Sequence, residues 1–186
     1  MKLKQVAAPT IEPVMVDEVK TQLRVDSIDE DAYLDISIVT AREWAENYTC
    51  RKFITQTWNM HLDRFSDEIF IPFGELQAVN SIKYYDENNS QQTLSSANYE
   101  VDTFSTLGRV RPAQGYSWPA TYSKYNSITI EFDCGYGDSR NDVPQTIRHG
   151  IAYIAAQLFE HRESMSGIPD AAKNALFPYT LFNFGE

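Results

Sequence analysis

The segment 143–163, VPQTIRHGIAYIAAQLFEHRE, constrains this chain more than any other stretch. Ile147, Ile151, Ile154, Ala155 and Leu158 recur at spacings of three and four, which places them on one side of a helix. Ala152, Tyr153, Ala156 and Phe159 widen that surface beyond a single stripe, so the helix is expected to meet neighbours on two sides. Pro144 suits the first turn, because the N–H it lacks would have no intrahelical partner there. No other segment of comparable length is as apolar, so the remaining helices are expected to pack on this one.

Two further helices are expected upstream. Val16, Val19 and Leu23 mark a short one over 17–24, with Asp17 and Glu18 in its first turn. Leu34, Ile38, Ala41, Ala45 and Tyr48 mark a longer one over 30–49, with Asp29 as its expected cap. Tyr33, Ile36 and Trp44 lie off that stripe and form a second, partly apolar face. Arg42 and Glu46 have the spacing of a helical ion pair, in the less favourable order.

The period changes after Phe53. Over 54–62, Ile54, Trp58, Met60 and Leu62 alternate with polar residues, the signature of a half-buried strand. Short strands are expected over 69–72, 79–85, 91–94, 99–102 and 109–111. In 127–134, Ile128, Ile130, Phe132 and Cys134 alternate with Thr129, Glu131 and Asp133. Turn-punctuated short strands predict an antiparallel sandwich or small barrel over 53–137. The fold class is therefore α+β: a helical framework from both chain ends, 16–52 and 138–178, with an inserted β lobe. A flexible or extended arm is expected over 1–15. An apolar tail follows over 179–186, after a short helix over 171–176.

Composition narrows the function. With 186 residues and 42% hydrophobic content the chain can bury a proper core. Its apolar runs are too short to span a bilayer, and the N-terminus carries no apolar leader, so a soluble, unexported protein without membrane contact is expected. The formal net charge of −10 argues against gripping the phosphate backbone, yet would suit DNA sliding past. Cys50 and Cys134 have no partner at metal-binding spacing and are expected as free buried thiols; no metal or cofactor is expected. There is no phosphate-binding loop, nucleophile elbow or zinc-protease helix, and the Gly135-Tyr136-Gly137 fragment reads as a turn. His61 and Asp63 read as a surface pair. No catalytic residue is assigned and the chain is not expected to be an enzyme.

Several stretches together resemble the head–tail connector (adaptor) proteins of tailed bacteriophages. DAYLDISIVTAREWAENYTCRKFITQTW is similar to their helix-to-strand segment, through Ala41, Arg42, Glu46, Tyr48, Thr49, Arg51, Gln56, Thr57 and Trp58. LQAVNSIKYYDENN resembles their central hairpin, and NYEVDTFSTLGRVRPAQGYSWPAT their following segment. CGYGDSRNDVPQTIRHGIAYIAAQLFEHRE resembles their closing helix. Cys50 departs from the glycine expected there, the residue suited to a left-handed helix end.

The resemblance implies a structural virion protein at the head–tail junction, made in the host bacterial cytoplasm. It implies a ring of about a dozen copies beneath the portal protein. That ring would extend the DNA channel toward a stopper or tail-completion protein, with genomic double-stranded DNA passing without sequence-specific binding. Within that frame, Trp44, Tyr153 and Phe159 are subunit-interface candidates. Tyr179, Leu181, Phe182 and Phe184 are portal-docking candidates. The alternatives are a different head- or tail-completion protein, or a carbohydrate-binding β module using Tyr116, Trp118, Tyr122 and Tyr125.

Overall fold

The computed structural model describes residues 1–162 and 167–181. Helices and antiparallel strands both contribute substantially, so the chain is α+β. It divides into two compact units, Met1–Pro9 with Thr55–Gly135, and Thr10–Ile54 with Tyr136–Glu186.

The first unit holds eight strands: β1 (Lys2–Ala7), β2 (Gln56–Leu62), β3 (Ile69–Phe70), β4 (Leu76–Tyr85), β5 (Gln91–Leu94), β6 (Tyr99–Asp102), β7 (Arg109–Pro112) and β8 (Ile128–Cys134). Five form one sheet in the order β1-β2-β8-β4-β5, and three form a second in the order β3-β7-β6. All pairings are antiparallel. Met60, Ile82, Ile130 and Phe132 from the first sheet share one apolar cluster with Ile69, Tyr99 and Val110 from the second. The larger sheet ends in two edges, β1 and β5, so the small-barrel alternative does not hold. Gly108 is required where the sheets meet, since a Cβ there would overlap the Leu76 side chain.

Strand β1 replaces the arm expected over 1–15. Only Leu3 of β1 points even partly inward, so its alternation carries no apolar face to read in sequence. The exposed lysines on this edge also discourage further strand addition.

The second unit contains α1 (Val16–Leu23), α2 (Asp31–Thr49), α3 (Gln145–Glu160) and α4 (Asp170–Leu176). Helix α3 is its centre, with α1, α2 and α4 all packed against it. Ile147, Ile151, Ile154 and Ala155 are fully buried, and Ala152 and Ala156 nearly so. Gly150 lets α4 come close: a Cβ there would already stand 3.3 Å from Leu176. The wide apolar surface of α3 is thus met on several sides inside the chain itself.

Two local expectations are corrected. Asp29 does not cap α2, because its carboxylate accepts from the Ser27 hydroxyl instead. Cys50 is exposed rather than buried; Cys134 is buried, and the two are not joined by a disulfide. Cys50 ends α2 with φ 55°, the left-handed conformation in which a side chain is strained and glycine is not. Cys50→Gly is therefore expected to raise stability by about 0.5–1 kcal/mol, after allowing for the greater freedom of unfolded glycine. A thermal melt of the variant checks this, and a clear loss of stability would contradict the strain argument.

Candidate assembly interface

The half-buried aromatics of the helical unit are the first candidates. Ile36, Thr40, Trp44 and Tyr48 repeat every four residues along one side of α2. Ile36 is 63% exposed, while Trp44 and Tyr48 are half-buried and pack on the helical core. This ridge joins core to surface without a polar break other than the Thr40 hydroxyl, which bonds back to the Ile36 carbonyl at 2.9 Å.

Tyr153 and Phe159 are half-buried on α3 and touch the same core. Phe159 lies 5.9 Å from the Tyr33 ring. The Arg162 guanidinium sits 4.3 Å from Tyr33 and 4.9 Å from Phe159 and pairs with Glu30 at 2.6 Å. These residues clamp the end of α3 to the start of α2, so much of the Phe159 surface is used within the chain. Ile28 and Ile36, strongly exposed, extend the apolar surface beyond the residues expected to carry it.

The chain end is strapped to α2. Arg51 Nε donates to the Tyr179 carbonyl at 2.6 Å, and the Leu181 N–H donates to the Thr49 carbonyl at 2.9 Å. Tyr179 and Leu181 are half-buried, while Phe182 and Phe184 lie outside the described residues.

In the β unit the aromatic loop is divided: Tyr116, Tyr122 and Tyr125 are exposed, whereas Trp118 is drawn into the fold. Trp118 stacks on Phe65 at 4.6 Å and donates from Nε1 to the Ser66 carbonyl at 2.7 Å, so its ring serves the fold. His61 and Asp63 do not pair: His61 contacts the Thr129 hydroxyl at 3.1 Å, and Asp63 accepts the Asn126 N–H at 2.7 Å.

The β6–β7 turn carries an exposed aromatic that no periodicity in the sequence marks. Phe104 is 100% exposed at its tip, an aromatic inside an otherwise turn-like DTFSTLG run. Asp102 holds the turn, accepting from the Phe104 and Ser105 N–H groups, the Ser105 hydroxyl and the Arg109 guanidinium. A cavity of about 270 Å³ lies beside it, lined by Glu68, Glu100, Val101, Asp102, Arg109 and Arg111. Its cations are already answered, Arg109 by Glu68 and Asp102 and Arg111 by Glu100. A second hollow of about 310 Å³ lies in the helical unit, with Val14 and Ala152 among polar residues. Among the described residues no acidic, histidine or cysteine group could hold a metal, and no helix is long and apolar enough to cross a membrane.

The chain thus combines a helical unit carrying a partly exposed aromatic ridge with a two-sheet unit carrying an aromatic-tipped turn, an α+β protein. A model of the phage gp6-like head-tail connector protein family matches residues 13–107, just over half of the chain, and the chain belongs to that family. Solved structures share the fold. The chain is similar to a protein in the neck of an empty gene transfer agent particle computed with C6 symmetry, with a TM-score of 0.80 and 21% identity over 100% of this chain and 99% of that one. It is also similar to a protein in a native gene transfer agent virion, with a TM-score of 0.82 and 22% identity at the same coverage. A native neck computed with C12 symmetry gives 0.81 and 19%, again with 100% and 99% covered. No curated protein sequence matches the chain.

Hydrogen bonds from Ser105, Arg109 and the Phe104 N–H hold the Asp102 carboxyl well below the ordinary carboxylate range. A depressed folded-state value stabilises the turn above the ordinary carboxylate range and loses that stabilisation as pH falls below it. Asp102→Asn is expected to speed amide exchange at Phe104 and Ser105 at neutral pH and to flatten its acid dependence. Unchanged exchange would show that the turn is held by its backbone alone.

Proposed function

We propose that this chain is a structural subunit of a phage-type virion neck, one copy in a closed ring of about twelve, by analogy with neck assemblies of cyclic symmetry. The ring docks beneath a portal, extends the DNA channel and presents its other end to a stopper or tail-completion protein. The observation that carries this reading is the family match over residues 13–107. The likeness to proteins in necks computed with C6 and C12 symmetry supports it. So does the charge: at −10 the subunit repels phosphate and suits passage of DNA without sequence-specific contact.

In this reading the helical unit is the ring framework and the two-sheet unit the projecting lobe. The Ile36, Thr40, Trp44 and Tyr48 ridge, with Tyr153 and Phe159, faces the adjacent copy. Burying an exposed isoleucine or the outer part of a tryptophan contributes about 1–2 kcal/mol each, enough for a templated ring to close when repeated at every junction. The tail, Tyr179 to Phe184, supplies the portal contact from an anchored start, since Leu181 is already tied to α2.

Mass measurement of the chain alone and mixed with portal rings tests the reading. The expected result is a complex carrying about twelve copies per portal ring. Ile36→Glu is expected to lower assembly at least about tenfold while leaving the melting temperature unchanged, because the side chain is mostly solvated. Truncation after Leu181 is expected to lower portal binding while leaving the fold intact. A chain that never joins the portal, or that joins a later component instead, sinks the proposal.

A further inference from the structure

The outer face of the five-stranded sheet carries a group of cations with no ion pair. Register places Lys2, His61, Thr129 and Lys83 in one row across β1, β2, β8 and β4, with Lys4 and Glu131 in the next. The neighbouring row of Leu3, Met60, Ile130 and Ile82 turns inward to the apolar cluster, so the lysine rows turn outward. Lys2, Lys4 and Lys83 are exposed, and none makes an ion pair among the described residues.

Several other cations are paired with carboxylates, Lys20, Arg42, Lys52, Arg148 and Arg162 in the helical unit and Arg109 and Arg111 on the smaller sheet, while Arg24, Arg64, Lys124 and Arg140 make no ion pair among the described residues and share no strand face with one another. With 26 carboxylates against 16 cations, an exposed lysine has many potential partners, yet three that lack one share a single face. The local field is positive: burial, then Lys2 and Lys4, push the His61 ring below its ordinary value. The row from Lys2 to Lys83 crosses three interstrand spacings, about 14 Å, and Lys2 and Lys4 stand about 7 Å apart along β1. Glu131 and Asp133 are the opposing charges on that face, and Asp133 accepts from the Thr57 hydroxyl at 2.6 Å.

Charge identifies the occupant. Copies that each carry −10 repel one another unless their contact sets opposite charges together. A closed ring uses two different patches of the same chain, so a cationic patch calls for an acidic one elsewhere on the surface. Asp26, Asp29 and Asp35, before and within the first turns of α2, are exposed and without an ion pair among the described residues. Their neighbours Glu30 and Asp31 are already taken by Arg162 and Lys20. A DNA backbone is the weaker candidate, because the net charge of the whole subunit opposes its approach.

We propose that the sheet face bearing Lys2, Lys4 and Lys83 docks on the acidic stretch of Asp26, Asp29 and Asp35 in a second copy of this chain. The inference rests on the ring reading and names the electrostatic half of the contact. It acts in addition to the apolar ridge, setting which neighbour fits and how fast copies associate.

The test uses the full chain with all three lysines changed, Lys2→Glu, Lys4→Glu and Lys83→Glu, and follows assembly alone and on portal rings. Wild-type assembly is expected to weaken about tenfold between about 0.05 M and about 0.5 M salt. At low salt the triple variant is expected to assemble about tenfold less well, with an unchanged melting temperature. Lys83→Glu alone, on an interior strand, guards against fraying of β1 and should act in the same direction. Adding Asp26→Lys, Asp29→Lys and Asp35→Lys to the triple variant should restore assembly. Wild-type-like assembly of the triple variant overturns the inference while leaving the ring intact, and loss without rescue overturns the pairing. A duplex DNA retarded by the wild type and released by the variant, with assembly unchanged, assigns the face to phosphate and overturns it too. A wild type that never assembles removes the ring reading itself.

Discussion

The helical unit depends on one buried carboxylate. Glu46 lies on α2 with its side chain only 2% exposed. It accepts from Lys52 Nζ at 3.0 Å, from the Phe53 N–H at 3.3 Å and from Arg42 Nη1 at 3.4 Å. A carboxylate inside protein is tolerated only when cations and N–H groups replace its water, and removing one partner of such a pair costs about 3–5 kcal/mol. The left-handed turn at Cys50 brings the chain back so that Lys52 and Phe53 can reach it. The end of α2, the direction of the chain after it and the position of Phe53 in the core therefore depend on the same interaction.

The same network ties down the entry to the unit. Arg42 Nε also holds Glu12 at 2.8 Å, and Arg148 fixes the next turn by donating to the Pro13 carbonyl at 3.1 Å and pairing with Glu18. Burial pushes the Glu12 carboxyl above its ordinary value despite the guanidinium beside it, and the surrounding carboxylates keep Arg42 protonated. Cations in this unit are largely spent on its own carboxylates, whereas the lysines of the five-stranded sheet are not. That contrast separates charges that specify the fold from charges available to a partner.

Much of the architecture was legible because burial imposes a period. The α3 pattern, the α2 stripe and the alternations of β2 and β8 each name a face that has to leave water, and those elements form where expected. Strand β1 was not legible, since an edge strand with one inward residue shows no such period. Arg42 and Glu46 were legible as a helical pair but not as a buried one, because burial comes from Lys52, Phe53 and Glu12 arriving from outside the helix. Phe104 was likewise invisible as an exposed feature, since its exposure depends on the course of the turn that Asp102 holds and not on any local period.

By itself the sequence determined the type of every element with a buried period, though not of β1, together with the strong negative charge and the resemblance that led to a head–tail connector family. Each of these is a local or summed property of residues. Only the tertiary structure decided that most of the apolar surface of α3 is covered by α1, α2 and α4, leaving Tyr153 and Phe159 half-buried, and that Tyr179 and Leu181 are fastened to α2. Only it set Lys2, Lys4 and Lys83 in rows on one sheet face, because cross-strand register joins residues far apart in the chain. Which surfaces remain for a partner is a remainder, known once every internal contact has taken its share.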